Sequence, residues 1–310
     1  MRRSQPLPRR LGDRFTTRAA VAAGVSRSRR DARDLARPFH GTRAVRVPVT
    51  LRDLIDSYRT IMLAGQTFVG RTAMRLWGLP HPVLWNRSEP LHICVVPHAA
   101  PPRGAGVRGR RLSPRRAGRR VFTGAAVVDP VAAVLTSMPD LTFAQLVAAF
   151  DALLTDADNY PGIKAPRPLA TREQVRQRLE EWGRFKGCAT ARTAFGLARE
   201  HVESPKESET RVLIVQEGLP EPVVQWDVFD GSRLVARVDL AYPDLKIAME
   251  YDGDGHRTDK EQWRTDIRRQ RDLEHLGWIV LHLTESDLED PAAFIAQLRR
   301  ALAIRQSSVA

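Results

Sequence analysis

Between Arg237 and His256 the chain reads RVDLAYPDLKIAMEYDGDGH, and its acidic residues Asp239, Glu250 and Asp252 are spaced so that they can converge. The alternation of apolar residues predicts two short strands joined by a Pro243-Asp244 turn,. Residues i and i+2 of a strand share a face, so Glu250, near the end of the second strand, and Asp252 point the same way, and Asp239, expected to close the first strand, can join them. Three carboxylates at one end of a sheet repel each other unless a cation lies between them. An all-oxygen set of this kind suits Mg2+ or Mn2+. The alternative is an acidic hairpin end facing solvent.

The flanking elements would hold such a group in place. Ser204-Pro205-Lys206-Glu207 is a helix start, with Ser as cap, Pro at the first helical position and Glu reaching back,. A strand is expected over Val223–Phe229, and the Asp230-Gly231 turn leads into the acidic hairpin,. An amphipathic helix follows over Asp259–Leu276, stopped by Gly277, then a strand over 278–283 and a last helix over Pro291–Ile304,. The order is helix, three strands, helix, strand, helix.

That order resembles the PD-(D/E)xK restriction-endonuclease-like nucleases, and within them the relatives of the very-short-patch repair (Vsr) endonuclease. The phrases carrying the likeness are SPKES, LIVQEGLP, RVDLAYPDLKIAMEYDGDGH and DIRRQRDLEHLGWIVLHL, over residues 204–304. The resemblance implies metal-assisted phosphodiester hydrolysis, with Asp239 and Glu250 as the two acids and Val238 where the motif has Pro. Asp252 stands where many members have Lys, and would complete the metal shell. His256, after the Asp252-Gly253 turn, would orient or deprotonate the attacking water, and Glu207 would hydrogen-bond metal-bound water or serve only as a helix cap. Asp266 and Arg269 are expected as a structural ion pair near the site, and Trp263 and Trp278 as core residues.

The front of the chain has a different character. Residues 1–50 hold 13 Arg against 3 Asp, and residues 101–120 hold 8 Arg and no acid, whereas residues 201–310 carry 14 basic and 21 acidic side chains. A basic front suits nucleic acid and an acidic back suits cations. Residues 1–12 are expected to be a disordered Pro- and Arg-rich tail. Thr16 can cap a short helix ending at Gly24, and Ser26 a second through about Leu35, a helix-turn-helix candidate with a wing strand at Thr42–Val47. Arg27, Arg29, Arg30 and Arg33 on the second helix are the candidate DNA-binding residues; the alternative is a small helical subdomain with a solvated basic face. Further on, helices are expected at Leu51–Leu63, Gly70–Trp77, Asp129–Met138 and Phe143–Leu154, with a strand at Glu89–Pro97. The phrases FTTRAAVAAGVSRSR, GRTAMRLWGLP, LHICVVP and VVDPVAAVL resemble the AbiEi-type antitoxins of type IV toxin–antitoxin systems. That likeness implies a winged helix followed by a mixed α/β domain.

The expected fold class is therefore α/β (α+β): a disordered tail (1–12), a winged helix-turn-helix (13–50), an AbiEi-like domain (51–155), a linker with bridging helices (156–203) and a nuclease-like αβββαβ core (204–304). No apolar run approaches a membrane span, and the N-terminus has no signal-peptide pattern,. Cys94 and Cys188 match no metal spacing, as expected of reduced thiols in a cytoplasmic protein,. The partners expected are double-stranded DNA and, through the antitoxin likeness, a cognate toxin, with no membrane and no small-molecule substrate. Two functions stand open: a Mg2+- or Mn2+-dependent DNA endonuclease, or a non-enzymatic antitoxin-like transcriptional regulator with a degenerate nuclease domain.

Overall fold

The structure, a computed structural model, describes residues 5–157, 165–253 and 260–307, and the side chains of all of these except 260–267. The fold is mixed α/β and divides into two compact units. The first takes in the residues up to Trp77, His81–Pro139 and Glu180–Trp182; the second holds Gly78–Pro80, Asp140–Leu179 and the residues from Gly183 onward.

The first unit opens with β1 (Arg14–Thr16), α1 (Thr17–Ala22), α2 (Arg27–Arg30) and β2 (Thr42–Ala44), with β1 and β2 antiparallel. Thr16 and Ser26 cap the two helices by accepting from the Ala19 and Arg29 amides,. Two expectations change here. α2 stops at Arg30, because Asp31 bonds Arg43 at 2.8 Å and Leu35 turns inward onto Phe15 and Ala20. The tail is not structureless from Gln5 onward: Arg9–Leu11 form a 3-10 turn, and Leu7 and Leu11 pack on that same core.

The chain continues through α3 (Leu51–Arg59), β3 (Thr67–Phe68), α4 (Gly70–Trp77), β4 (Leu91–Val95), β5 (Val107–Arg111), α5 (Pro114–Ala117), β6 (Arg120–Phe122), β7 (Ala125–Val127) and α6 (Pro130–Ser137). The strands form one sheet in the order β5-β4-β3-β7-β6. Phe68, Met74, Leu76, Leu91 and Ile93 are fully buried, and the Trp77 indole donates to the Val128 carbonyl at 2.8 Å. His92 is buried against Gly70, where an added Cβ would stand 2.8 Å from the imidazole Nδ1; only glycine fits,.

The second unit contains α7 (Phe143–Leu154), α8 (Arg172–Trp182) up to Leu179, α9 (Cys188–Gly196), α10 (Pro205–Gln216), β8 (Val223–Asp230), β9 (Arg233–Tyr242), β10 (Ile247–Tyr251), α11 (Lys260–His275), β11 (Ile279–Leu283), α12 (Glu285–Glu289) and α13 (Ala292–Ser307). α7 thus leaves the middle domain to which its place in the sequence assigned it, and the boundary expected at 155 falls at Pro139. The reason is a buried charge. Asp151 of α7 accepts from Arg211 at 2.8 Å, from the Ser208 hydroxyl at 2.7 Å and from the Arg199 amide at 2.7 Å. Asp151 and Arg211 are both fully buried, so neither helix can leave the other without stranding a charge,.

The sheet order is β11-β10-β9-β8, with β10 and β11 parallel and the other pairs antiparallel. The expected order of elements is present, with short α12 inserted before the last helix. Val228, Val238, Ala241 and Ala248 pack with Leu273 of α11 and with Trp278. Leu240, Tyr242, Ile247 and Met249 pack with Ile214 of α10 and with Phe294 and Leu298 of α13. Val238 and Leu240 are two residues apart yet join different cores. The alternation of β9 breaks at Asp239.

Candidate functional site

Asp239 lies inside β9, not at its end, and the β9/β10 register of Leu240 with Met249 brings it beside Glu250. The Tyr251 amide donates to Asp239 Oδ2 at 3.0 Å. Across β9 on the other side, the β8 register places Gln225 opposite Asp239, between the pairs Val224–Leu240 and Trp226–Val238. Gln225 has φ 49°, in the left-handed region that costs a non-glycine residue of order 1–3 kcal/mol,. Its side-chain amide donates to Glu207 Oε2 at 2.8 Å.

Glu207 arrives from α10 as its capping sequence predicts. Ser204 accepts from the Glu207 amide at 3.2 Å, and Glu207 Oε2 accepts from the Glu203 amide at 3.1 Å. The residue is buried, and burial together with the nearby charge of Asp239 pushes its carboxyl up to about 7. Burial also lifts Asp239, to about 6, against the lowering pull of the Tyr251 amide; the charge of Glu250 adds to the rise. Glu207, Asp239 and Glu250 therefore press on each other electrostatically, as a carboxylate cluster should.

Arg269 of α11 donates to Glu250 and, at 3.2 Å, to the Arg237 carbonyl. The half-buried Glu250 carboxylate is thus within reach of the guanidinium; the ion pair expected between Asp266 and Arg269 lies outside the described side chains. Asp252 does not join the other acids. It is past the end of β10, its amide continuing the ladder to the Leu283 carbonyl, and its exposed carboxylate meets His282 Nδ1 at 3.2 Å. His256 and the Trp263 side chain lie outside the described residues. Trp278 is in the core as expected.

Among the described residues, no three His, Cys, Asp or Glu side chains form a group able to hold a metal ion. The cage of Asp239, Glu250 and Asp252 is thus corrected, because His282 draws off the third member. What remains is an all-oxygen pair, Asp239 and Glu250, with Glu207 behind it. Hard divalent cations fit that donor chemistry as a two-carboxylate site.

Several residues at the site had no signal in the sequence. Lys206 bridges Glu209 at 3.0 Å and Glu285 at 2.7 Å, and the Tyr251 hydroxyl donates to Glu285 at 2.8 Å. In the first unit the four arginines expected to meet DNA separate. Arg27 and Arg33 are exposed. Arg29 is drawn to Asp34 at 2.8 Å and to the Gln5 carbonyl, and Arg30 is half-buried. Among the described residues, no helix is long and apolar enough to cross a membrane.

No family model matches the chain. It is 28% identical over 152 residues to two proteins of Mycobacterium tuberculosis, the uncharacterized protein Rv2248 of strain ATCC 25618 / H37Rv and the uncharacterized protein MT2308 of strain CDC 1551 / Oshkosh. In each case the match takes in 45% of this chain and 56% of the relative, so the chain spans about half the length of the curated relatives it matches. Among solved structures, the crystal structure of the RV2827C protein from Mycobacterium tuberculosis is similar with a TM-score of 0.39 and 16% identity, over 70% of this chain and 84% of that one.

Proposed function

We propose that the second unit is a divalent-metal-dependent endonuclease that hydrolyses phosphodiester bonds in DNA, and that the basic first unit brings it to the duplex. The observation that carries this reading is Asp239, set between Glu250 and Glu207 where β9 breaks its alternation, with Asp239 raised to about 6 and Glu207 to about 7. Asp239 and Glu250 would hold Mg2+ or Mn2+, which supplies a Lewis acid for the phosphate and a lowered pKa for bound water. Glu207, poised near neutrality, is matched to taking up a proton from the attacking water. Arg269, beside Glu250, offers a guanidinium to a phosphate oxygen in a chain that has Asp252 at the usual lysine position,. Arg27 and Arg33 are the exposed members of the helix-turn-helix set and suit phosphate contact,.

The test is cleavage of plasmid and single-stranded DNA with Mg2+ or Mn2+. Wild type is expected to cut, and Asp239→Asn to lose cutting while keeping duplex affinity. Wild type that neither cuts any DNA form nor binds either ion in calorimetry would overturn the reading.

A second reading has its own support in the salt bridge of Glu250 with Arg269 and the absence of lysine at 252. In that reading the domain is a degenerate module of an antitoxin-like transcriptional regulator, with a cognate toxin as its candidate partner. It predicts duplex binding without metal uptake.

A further inference from the structure

Residues 81–139 contain nine arginines and two acids, Glu89 and Asp129. Both acids are buried and engaged: Glu89 accepts from Arg75 at 2.7 and 2.8 Å, and Asp129 caps α6 by accepting from the Ala132 amide at 2.9 Å. Neither offers its charge to the surface. The helix-turn-helix differs, because its acids are interleaved with its arginines. Asp31 draws Arg43, Arg37 and Arg27, and Asp34 draws Arg29. An arginine-rich composition alone would leave both regions alike. The sheet segment has no such interleaved acids of its own.

The topology gathers that charge at the two edges of the five-stranded sheet. β5 is one edge and carries Arg108, Arg110 and Arg111; β6 is the other, beginning at Arg120 after Arg119. The pairings Gly109–Ile93, Ile93–Phe68, Phe68–Val127 and Val127–Arg120 put both edges at one level of the sheet. Four strand spacings separate them, on the order of 19 Å. Arg103, Arg108, Arg111, Arg119 and Arg120 are exposed. Arg111 and Arg120 bond main-chain carbonyls, which leaves their charge unneutralised, and no ion pair is found for any of the five among the described residues.

We infer that this arginine rim of the five-stranded sheet grips the phosphate backbone of duplex DNA, as the main electrostatic anchor of the first unit. The inference rests on the DNA reading proposed above and assigns it a surface. Guanidinium forks match phosphate oxygens, and the phosphates of one strand follow one another about every 3.4 Å along the duplex axis, so edges about 19 Å apart along that axis reach contacts roughly five to six nucleotides apart. The rim does not suit single-stranded nucleic acid, which is held by stacking on aromatic faces. The one Phe, Tyr or Trp between 97 and 127 is Phe122, and it is stacked on Trp77 at 4.6 Å. Contacts of this kind hold the duplex without reading its sequence.

The experiment is a salt titration of full-length protein on a mixed-sequence duplex. It compares wild type, a rim variant (Arg103, Arg108, Arg111, Arg119 and Arg120→Gln) and a helix variant (Arg27 and Arg33→Gln). Each phosphate contact contributes about 0.9 to the slope of log K against log salt, so the rim variant should lose about 3–5 from the slope and bind at least tenfold more weakly. A rim variant within twofold of wild-type affinity, with its slope changed by less than one, overturns the inference. If that variant also associates, the arginines only guard exposed sheet edges. Loss of binding confined to the helix variant sinks the rim and leaves the DNA reading standing. Wild type that binds no duplex even at low salt sinks both. Should the rim variant fail to fold, phenylglyoxal modification of wild type decides: DNA is expected to protect Arg108, Arg119 and Arg120, and equal reactivity with and without DNA overturns the inference.

Discussion

Gln225 of β8 donates its side-chain amide to Glu207 at 2.8 Å from a backbone held at φ 49°, directly opposite Asp239 of β9. A strained residue in mid-strand persists when its neighbours over-determine it, and here the hydrogen bond to a buried carboxyl supplies part of that constraint. Gln225→Ala keeps the unfavourable φ and strips a donor from Glu207, so it should cost about 1–3 kcal/mol. Gln225→Gly loses the same donor but relaxes the backbone, and should recover part of the loss. Urea denaturation at pH 8 is expected to rank wild type above Gly and Gly above Ala. The reverse order of the two variants would mean that the backbone at 225 is not strained.

Glu207, at about 7, and Asp239, at about 6, both lie above the ordinary carboxyl range,. Between about pH 4 and pH 7 the folded protein therefore holds more protons than the unfolded chain. The contribution of this pair is fully present below the unfolded values and is lost as pH rises through about 6 and 7. In EDTA, the melting temperature of the second unit should rise as pH is lowered from 8 toward 5. Glu207→Gln should flatten that rise and melt higher than wild type at pH 8, since it removes a charge facing Asp239. A profile unchanged by the substitution would place the titration elsewhere.

The hairpin of β9 and β10 was legible because a short turn fixes register, and register alone brings Asp239 beside Glu250,. The start of α10 was legible because Ser204, Pro205 and Glu207 satisfy helix-end amides locally,. Contacts set by distant pairings were not. Asp252 finds His282 only because β10 runs parallel to β11 across an intervening helix, a register no local rule supplies. The allegiance of α7 was hidden for a like reason: Asp151 reads as a polar residue on an apolar helix until Arg211, 60 residues away, is placed against it. The extent of α2 was misjudged because capping predicts where a helix begins, whereas Leu35 turning into the core decided where this one ends.

Asp151 and Arg211 also yield a stability prediction. Removing one partner of a buried pair strands the other, at a cost of about 3–5 kcal/mol. Asp151→Ala should destabilise the second unit by that amount in chemical denaturation. The double variant Asp151→Ala, Arg211→Leu should cost clearly less than the two single changes added together, because no unpaired charge is left in the interior: Glu221, which also meets Arg211 at 2.7 Å, is partly exposed and keeps Arg199 at 2.5 Å. Additive losses would show that each side chain acts through packing and not through the pair.

Arg269 is the resident cation of Glu250, and a divalent ion at the same carboxylate must share Glu250 with it or displace it. Arg269→Gln removes the competitor and leaves a neutral side chain of similar reach. Mn2+ binding, measured by calorimetry at pH 8, should tighten about tenfold, which corresponds to roughly 1.4 kcal/mol. In EDTA the same variant should melt lower than wild type, because Glu250 then faces Asp239 without compensation. Cleavage reports on a separate role. If the guanidinium also serves a phosphate oxygen, turnover should fall in Arg269→Gln despite tighter metal binding, and Arg269→Lys should restore part of it. Weaker metal binding in Arg269→Gln would mean that the arginine shapes the carboxylates for the ion. Unchanged metal affinity and an unchanged melting temperature together would reduce the pair to a solvent-screened bridge, and the site would then have no cation of its own.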